Sequence, residues 1–340
     1  MGIVHIRRLS PGRCSVTRAA AVRGLRLRGV AASRHGGLGG GHAGGAAVDG
    51  VRGSAKSWER GMTLASWDLG RWTVSCRVSG EGTPVVLLHS GPGSASDWRG
   101  VFERFGAGYR LVAVNGFGRG QTSGWPAGDV EVDQYVELVS GLVGELGEPV
   151  HLVGHSYGGA VALRMVSTSP RLVRSLAVVE PQAYPLLADG DPRLFAEVAE
   201  VADAFASAVD DSRVEDAWRG FIDHYSGAGS WDALPHATRQ RMLQSSEVAV
   251  RSWAALFTNP ITTADLSQIG IPTLVIQGGR TTAPERRLCE IITARVPGAR
   301  RVVVEGAGHM VPLTHPTATA ETLEAHLEPL SADPARSGRS

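Results

Sequence analysis

Val150-His-Leu-Val-Gly-His-Ser-Tyr-Gly-Gly-Ala160 is the stretch that decides how this chain folds. Residues 150–153 form a short apolar run, the pattern of a buried strand, and a helical pattern begins at about Tyr157. Between them Gly154-His155-Ser156-Tyr157-Gly158 fits G-x-S-x-G, a sharp strand-to-helix turn known as a nucleophile elbow. Such a turn strains the backbone of its serine and lifts the hydroxyl above the edge of a sheet. Gly154, Gly158 and Gly159 let strand and helix approach where a Cβ would clash. The helix start behind Ser156 favours negative charge, which suits an oxyanion forming there. Ser156 is therefore the candidate nucleophile.

Working outward, residues 85–88 and 111–114 are fully apolar runs, the mark of central parallel strands covered on both faces. Similar runs recur at 172–179, 272–276 and 301–304. Residues 63–79 alternate apolar and polar about Leu69-Gly70-Arg71 and predict a hairpin. Helical spacing covers 132–146, the stretch from the elbow to about 169, 284–295 and 316–327. Strands alternating with helices predict an α/β fold with a doubly wound, mostly parallel sheet. The pattern changes over 182–270, where helical segments at 194–208, 214–225 and 236–256 carry many aromatics. That region reads as a helical lid inserted into a core made of 62–181 and 271–330, with 331–340 as a frayed tail.

Composition narrows the possibilities. Residues 1–61 hold eleven Lys+Arg and two acids, leaving 23 basic and 31 acidic residues and a net −8 on the rest. An acidic body argues against nucleic-acid binding by the folded part. The Arg-rich and Gly-rich first sixty-one residues cannot bury a core. They read as a disordered tail or an over-extended start ahead of Met62, and their composition also fits a transit peptide. Cys14, Cys76 and Cys289 form no C-x-x-C pair and no metal-ligand spacing, which predicts inert thiols in a reducing, cytoplasmic setting and no metal. No apolar run approaches the ~20 residues of a membrane span.

Ligands of doubly wound sheets bind beyond the carboxyl ends of the strands. The residues just after each apolar run include His89-Ser90-Gly91, Ser156-Tyr157, Glu180, Gly278-Gly279 and Gly306-Ala-Gly-His309. That set holds a nucleophile, a carboxylate and a histidine. A serine hydroxyl needs a base to take its proton, and the base needs an anionic partner to fix its tautomer. His309 is the natural base, because its glycine-rich loop can reach the serine. His155 is too close along the chain to do so, while His89 and His315 read as structural.

From Met62 to about residue 330 the chain resembles the α/β-hydrolase superfamily. The resemblance rests on His89-Ser-Gly-Pro-Gly93, Gly154-His-Ser-Tyr-Gly-Gly159, Gly306-Ala-Gly-His309 and the lid between. It implies an oxyanion hole from the Tyr157 N–H and the Gly91 N–H. One departure matters. Where the family usually carries its acid in a G-x-x-D loop, this chain has Gly278-Gly-Arg-Thr281, and Thr281 cannot ionise at working pH. Glu180, 24 positions after Ser156, stands where a minority of members, including haloalkane dehalogenases and some lactone hydrolases, place theirs. Glu180 is the assigned acid, with Glu285 and Glu305 as weaker substitutes.

The resemblance implies a serine hydrolase that cleaves an ester, lactone or thioester of a small, mostly apolar substrate and needs no cofactor. A lyase or peroxide-using variant on the same triad stays open, because fold alone does not fix chemistry, and two further alternatives stand beside it. His89-Ser-Gly-Pro-Gly93 is similar to a motif of proline iminopeptidases, which need acids to hold the substrate's amine; Asp210, Asp211, Glu215 and Asp216 could be misread as such, but an acidic helix face is usually just solvated. The other is a ligand-binding protein without turnover on the same fold.

Overall fold

The computed structural model describes residues 62–124 and 132–331. The readings of 1–61 and of the tail beyond 331 fall outside the described residues.

The hairpin forms as the alternation predicts: β1 (Met62–Asp68) and β2 (Thr73–Ser79) pair antiparallel, Asp68 opposite Thr73. β3 (Thr83–Leu88), β4 (Tyr109–Val114), β5 (Val150–His155), β6 (Val173–Val179), β7 (Thr273–Gly278) and β8 (Arg300–Val304) complete one sheet. The strand order is β1-β2-β4-β3-β5-β6-β7-β8, and every pairing from β4 to β8 is parallel. The central strands are apolar on both faces because both faces are covered. On β3, Val86 and Leu88 face one cluster, while Val85 and Leu87 face the other. Each such buried side chain is worth ~1.5–3 kcal/mol.

α1 (Arg99–Phe102), α2 (Val132–Leu146) and α3 (Tyr157–Thr168) precede β6. The apolar face of α2, Val132, Tyr135, Val139 and Leu142 among others, packs in the same cluster as Leu163 of α3. Between β6 and β7 the chain makes a helical insertion: α4 (Pro185–Gly190), α5 (Pro192–Asp210), α6 (Val214–Ser226), α7 (Ser230–Ala233), α8 (His236–Gln244), α9 (Ser246–Thr258) and α10 (Thr263–Ser267). α11 (Ala283–Arg295) follows β7; α12 (Val311–Thr314) and α13 (Pro316–Ser331) follow β8.

One helix expected over 236–256 is two, α8 and α9, broken at Ser245. The serine hydroxyls there bond back to the backbone: Ser245 Oγ donates to Met242 O at 3.0 Å and Ser246 Oγ to Leu243 O at 2.8 Å. Local bonds of this kind compete with the helix ladder. The indole N–H of buried Trp218 on α6 donates to Ser246 Oγ at 2.8 Å and pins the break.

Candidate active site

Ser156 caps α3 with φ 57° and ψ −115°, outside the regions open to L-residues. Conformations of this kind cost ~1–3 kcal/mol and persist only where neighbours over-determine them. Here they do. Ser156 N–H donates to Val179 O at 2.9 Å, and Ser156 O accepts from Gly159 N–H at 2.9 Å and Gln182 N–H at 3.2 Å. Bonds worth ~1 kcal/mol each are enough to offset the strain. The glycines have a steric reason. A Cβ on Gly154 would stand 2.3 Å from Gly158 O, and one on Gly158 would stand 2.5 Å from Leu88 O.

The three side chains expected from three separate loops meet. His309 Nε2 lies 2.9 Å from Ser156 Oγ, and His309 Nδ1 lies 3.2 Å from Glu180 Oε2. All three residues are buried, and Glu180 is fully so. The Glu180 carboxylate also accepts from Gly278 N–H at 2.7 Å and from the Thr281 hydroxyl. Thr281 supplies a donor rather than a charge. Glu180 itself has a positive φ of 49°, which the bond from its N–H to Ile276 O at 3.0 Å helps to hold. The substitutes fall away: Glu305 is exposed, and buried Glu285 bonds Tyr184 and Thr282 rather than His309.

Gly91 and Tyr157 sit side by side; a Cβ added to Gly91 would be 3.7 Å from the Tyr157 Cβ. The loop carrying Gly91 is braced by His89, whose Nε2 accepts from Gly116 N–H at 3.0 Å. Its Nδ1 therefore carries the proton and donates to Ser90 O at 2.6 Å. Burial pushes His89 down to about 4. His155 donates from Nε2 to His309 O at 2.9 Å, and burial pushes it down to about 3. Both stay neutral at ordinary pH and tie neighbouring loops together through these bonds.

Three neighbours of this site went unread in the sequence. Gln182 Oε1 lies 3.0 Å from Ser156 Oγ. The Tyr225 ring of α6 lies over His309, centroids 5.0 Å apart. Tyr225 and Tyr184 hydroxyls are 2.9 Å apart, and Tyr184 donates to Glu285 at 3.4 Å. The acids of the insertion lie on a solvated face. Asp210, Asp211, Glu215 and Asp216 are exposed, and the last three pair with Arg213 or Arg219. No group of His, Cys, Asp and Glu among the described residues has a metal-holding arrangement.

Residues 85–322 match the alpha/beta hydrolase family. The chain belongs to this family. Among hydrolase relatives, it is 25% identical to a pimeloyl-[acyl-carrier protein] methyl ester esterase of Aeromonas hydrophila, over 74% of this chain and 98% of that protein. It is 28% identical to a non-heme haloperoxidase of Rhodococcus erythropolis, over 73% and 92%. The fold matches the solved structures of a bromoperoxidase from Bacillus anthracis (TM-score 0.63, 22% identity, 78% of this chain and 100% of that one) and of a thermophilic esterase (0.61, 21%, 79% and 98%). Among the described residues of this hydrolase, no helix is long and apolar enough to cross a membrane.

Proposed function

We propose that the protein is a serine hydrolase that cleaves an ester, lactone or thioester of a small, mostly apolar molecule through an acyl-enzyme. The observation that carries this reading is the unbroken chain Ser156–His309–Glu180, at 2.9 and 3.2 Å, beneath a strained serine.

The Glu180 carboxylate accepts a hydrogen bond from His309 Nδ1–H, which keeps the proton on Nδ1 and leaves Nε2 as the acceptor facing Ser156. Ser156 Oγ attacks the carbonyl carbon while Nε2 takes its proton. The carbonyl oxygen becomes an oxyanion, held by the Tyr157 and Gly91 N–H groups; one such donor is worth ~3–4 kcal/mol in the transition state. His309 returns the proton to the leaving oxygen or sulfur as the bond breaks. Water then repeats the sequence on the acyl-enzyme and releases the acid. Gly278 N–H and the Thr281 hydroxyl hold the carboxylate in place throughout.

An apolar acyl or alcohol group is favoured by the aromatic surface above the base. Tyr225 covers His309, and Phe221 and Trp253 pack behind it at 5.0 and 6.3 Å. The buried free thiols of Cys76 and Cys289, both pushed up by burial, support a cytoplasmic setting.

A fluorophosphonate probe tests the reading, with the modified peptide located by mass spectrometry. Stoichiometric labelling at Ser156, together with turnover on an ester, lactone and thioester panel, is the expected result. No labelling of well-folded protein would reject it in favour of a ligand-binding role.

A further inference from the structure

Ser156 Oγ has one proton and two near acceptors, His309 Nε2 at 2.9 Å and Gln182 Oε1 at 3.0 Å. His309 accepts at Nε2 because Glu180 keeps the ring proton on Nδ1. Which end of the Gln182 amide faces the serine is decided on its other side. The Tyr225 hydroxyl directs its one proton into the group it forms with Tyr184 and Glu285, so it offers Gln182 a lone pair. The amide NH2 turns toward that lone pair, in a contact looser than a full hydrogen bond, and Oε1 is left facing Ser156. Gln182 is 3% exposed, and its own backbone N–H donates to Ser156 O at 3.2 Å. Among the described residues Oε1 has a single donor, the serine hydroxyl.

The proton count at this spot changes during the reaction. In the resting enzyme one proton faces two acceptors, and acylation needs it on the His309 side. In the acyl-enzyme Oγ carries no proton, and both acceptors lose their donor. A buried acceptor left without a donor costs ~1–3 kcal/mol. Water brings two protons, one for each. Nε2 and Oε1 both lie a hydrogen bond from Oγ, so they share a ring of positions at that distance from both. Oγ takes one such position, and a water can take another, beside the acyl carbon that Oγ carries. Both of its protons are then held, and a lone pair is left for the carbon.

We propose that Gln182 is a further catalytic residue, one that acts in deacylation: its Oε1 accepts one proton of the hydrolytic water while His309 Nε2 takes the other. The inference rests on the serine-hydrolase reading above. The water oxygen bonds to the acyl carbon through a lone pair, the carbonyl π pair moves onto the oxyanion, and Nε2 takes a proton. The bond from carbon to Oγ then breaks with its electron pair going to Oγ, and Nε2 returns the proton there. The water's second hydrogen stays on the new carboxylic acid, donated to Gln182 throughout. Acylation gains nothing from Gln182, because in that step Oε1 competes with His309 for the serine proton.

The test compares Gln182→Met and Tyr225→Phe with wild type on 4-nitrophenyl butyrate, whose leaving group makes acylation fast. Stopped-flow kinetics separate acylation from deacylation, and the fluorophosphonate labelling rate reads serine activation alone. Gln182→Met should slow deacylation on the order of tenfold, with kcat and KM falling together, and should label at the wild-type rate or faster. Methanol, added as a competing nucleophile, has one hydroxyl proton and gains nothing from Oε1. The ratio of methyl ester to acid should therefore rise about tenfold in Gln182→Met, a readout independent of how much of the variant folds. Tyr225→Phe removes the group that orients the amide and should give a smaller change of both kinds. A residue that only shapes the site would slow acylation and deacylation alike and leave the product ratio at its wild-type value; that result overturns the proposal. Wild-type protein that fails to label at Ser156 would instead defeat the underlying hydrolase reading, and the proposal with it.

Discussion

Ser156 and Glu180, at the ends of neighbouring strands, and Ser212, between α5 and α6, all hold a positive φ, at 57°, 49° and 63°. They do so for different ends. Ser212 turns the chain out of a helix: its N–H returns to Val209 O at 3.0 Å and the next N–H to Ala208 O at 2.7 Å, with the side chain in solvent. At the strand ends the same twist aims a buried side chain, and hydrogen bonds to adjacent strands fix it. The insertion is held differently, by aromatic packing. Phe205, Trp218, Phe221 and Trp253 meet at centroid distances of 4.9 to 6.2 Å. The sheet ends are therefore held by directional hydrogen bonds, while the insertion is a body held by packing.

The sharpest way to break this contrast is Glu180→Gln. The amide presents an N–H to His309 Nδ1 or frees the ring to turn, so turnover should fall by about 10⁴-fold, the size seen when another triad lost its carboxylate. The fold should survive, and a rate near wild type would remove Glu180 from the chemistry. On the insertion side, Trp218→Ala empties a fully buried site and removes the indole N–H that donates to Ser246 Oγ. A cost of about 3–5 kcal/mol is expected in denaturant unfolding. The fluorophosphonate rate of the remaining folded protein should stay within a few-fold of wild type. A collapse of that rate would tie the insertion to the site more tightly than the contrast allows.

A smaller effect is expected from Thr281→Val, which removes one charge-assisted donor from Glu180. Such bonds are worth ~1.5–3 kcal/mol, so kcat should fall by about tenfold or somewhat more, with KM unchanged. Unaltered kcat would mean that Gly278 alone fixes the carboxylate. The smallest effect is on stability against pH. Unfolded histidine takes a proton near pH 6.5. Folded His89, His151 and His326 resist until about 4, and His155 until about 3, chiefly through burial. Between pH 6.5 and 4 the unfolded chain binds more protons, so stability should fall with pH in that window. Asp97, pushed up to about 6 by burial, works the other way and softens the slope. The thermal midpoint should drop between pH 7 and pH 4; a flat profile would show that these rings are accessible to protons.

The sheet and the Ser156, Glu180 and His309 positions were legible because each leaves a mark in one dimension. Apolar runs of strand length announce buried strands, G-x-S-x-G announces the turn, and the absence of a carboxylate at Thr281 leaves Glu180 as the strand-end acid. Gln182 leaves no such mark. It is a single polar residue whose value depends on the chain doubling back to place it 3.0 Å from an atom 26 positions earlier. Tyr225 was visible as an aromatic at helical spacing, yet spacing cannot say that its ring covers His309 rather than the insertion's own interior. The break at Ser245 was missed because the apolar spacing runs through it, while the hydroxyl bonds that end α8 depend on Trp218 from another helix.

The Gly278 amide offers a clock for the acid's placement. Its proton is held by Glu180 Oε1 in a spot closed to solvent, so it can exchange with deuterium only when the carboxylate swings out or the strand end opens. Its exchange lifetime would time how often the resting enzyme disarms itself, with no substrate required.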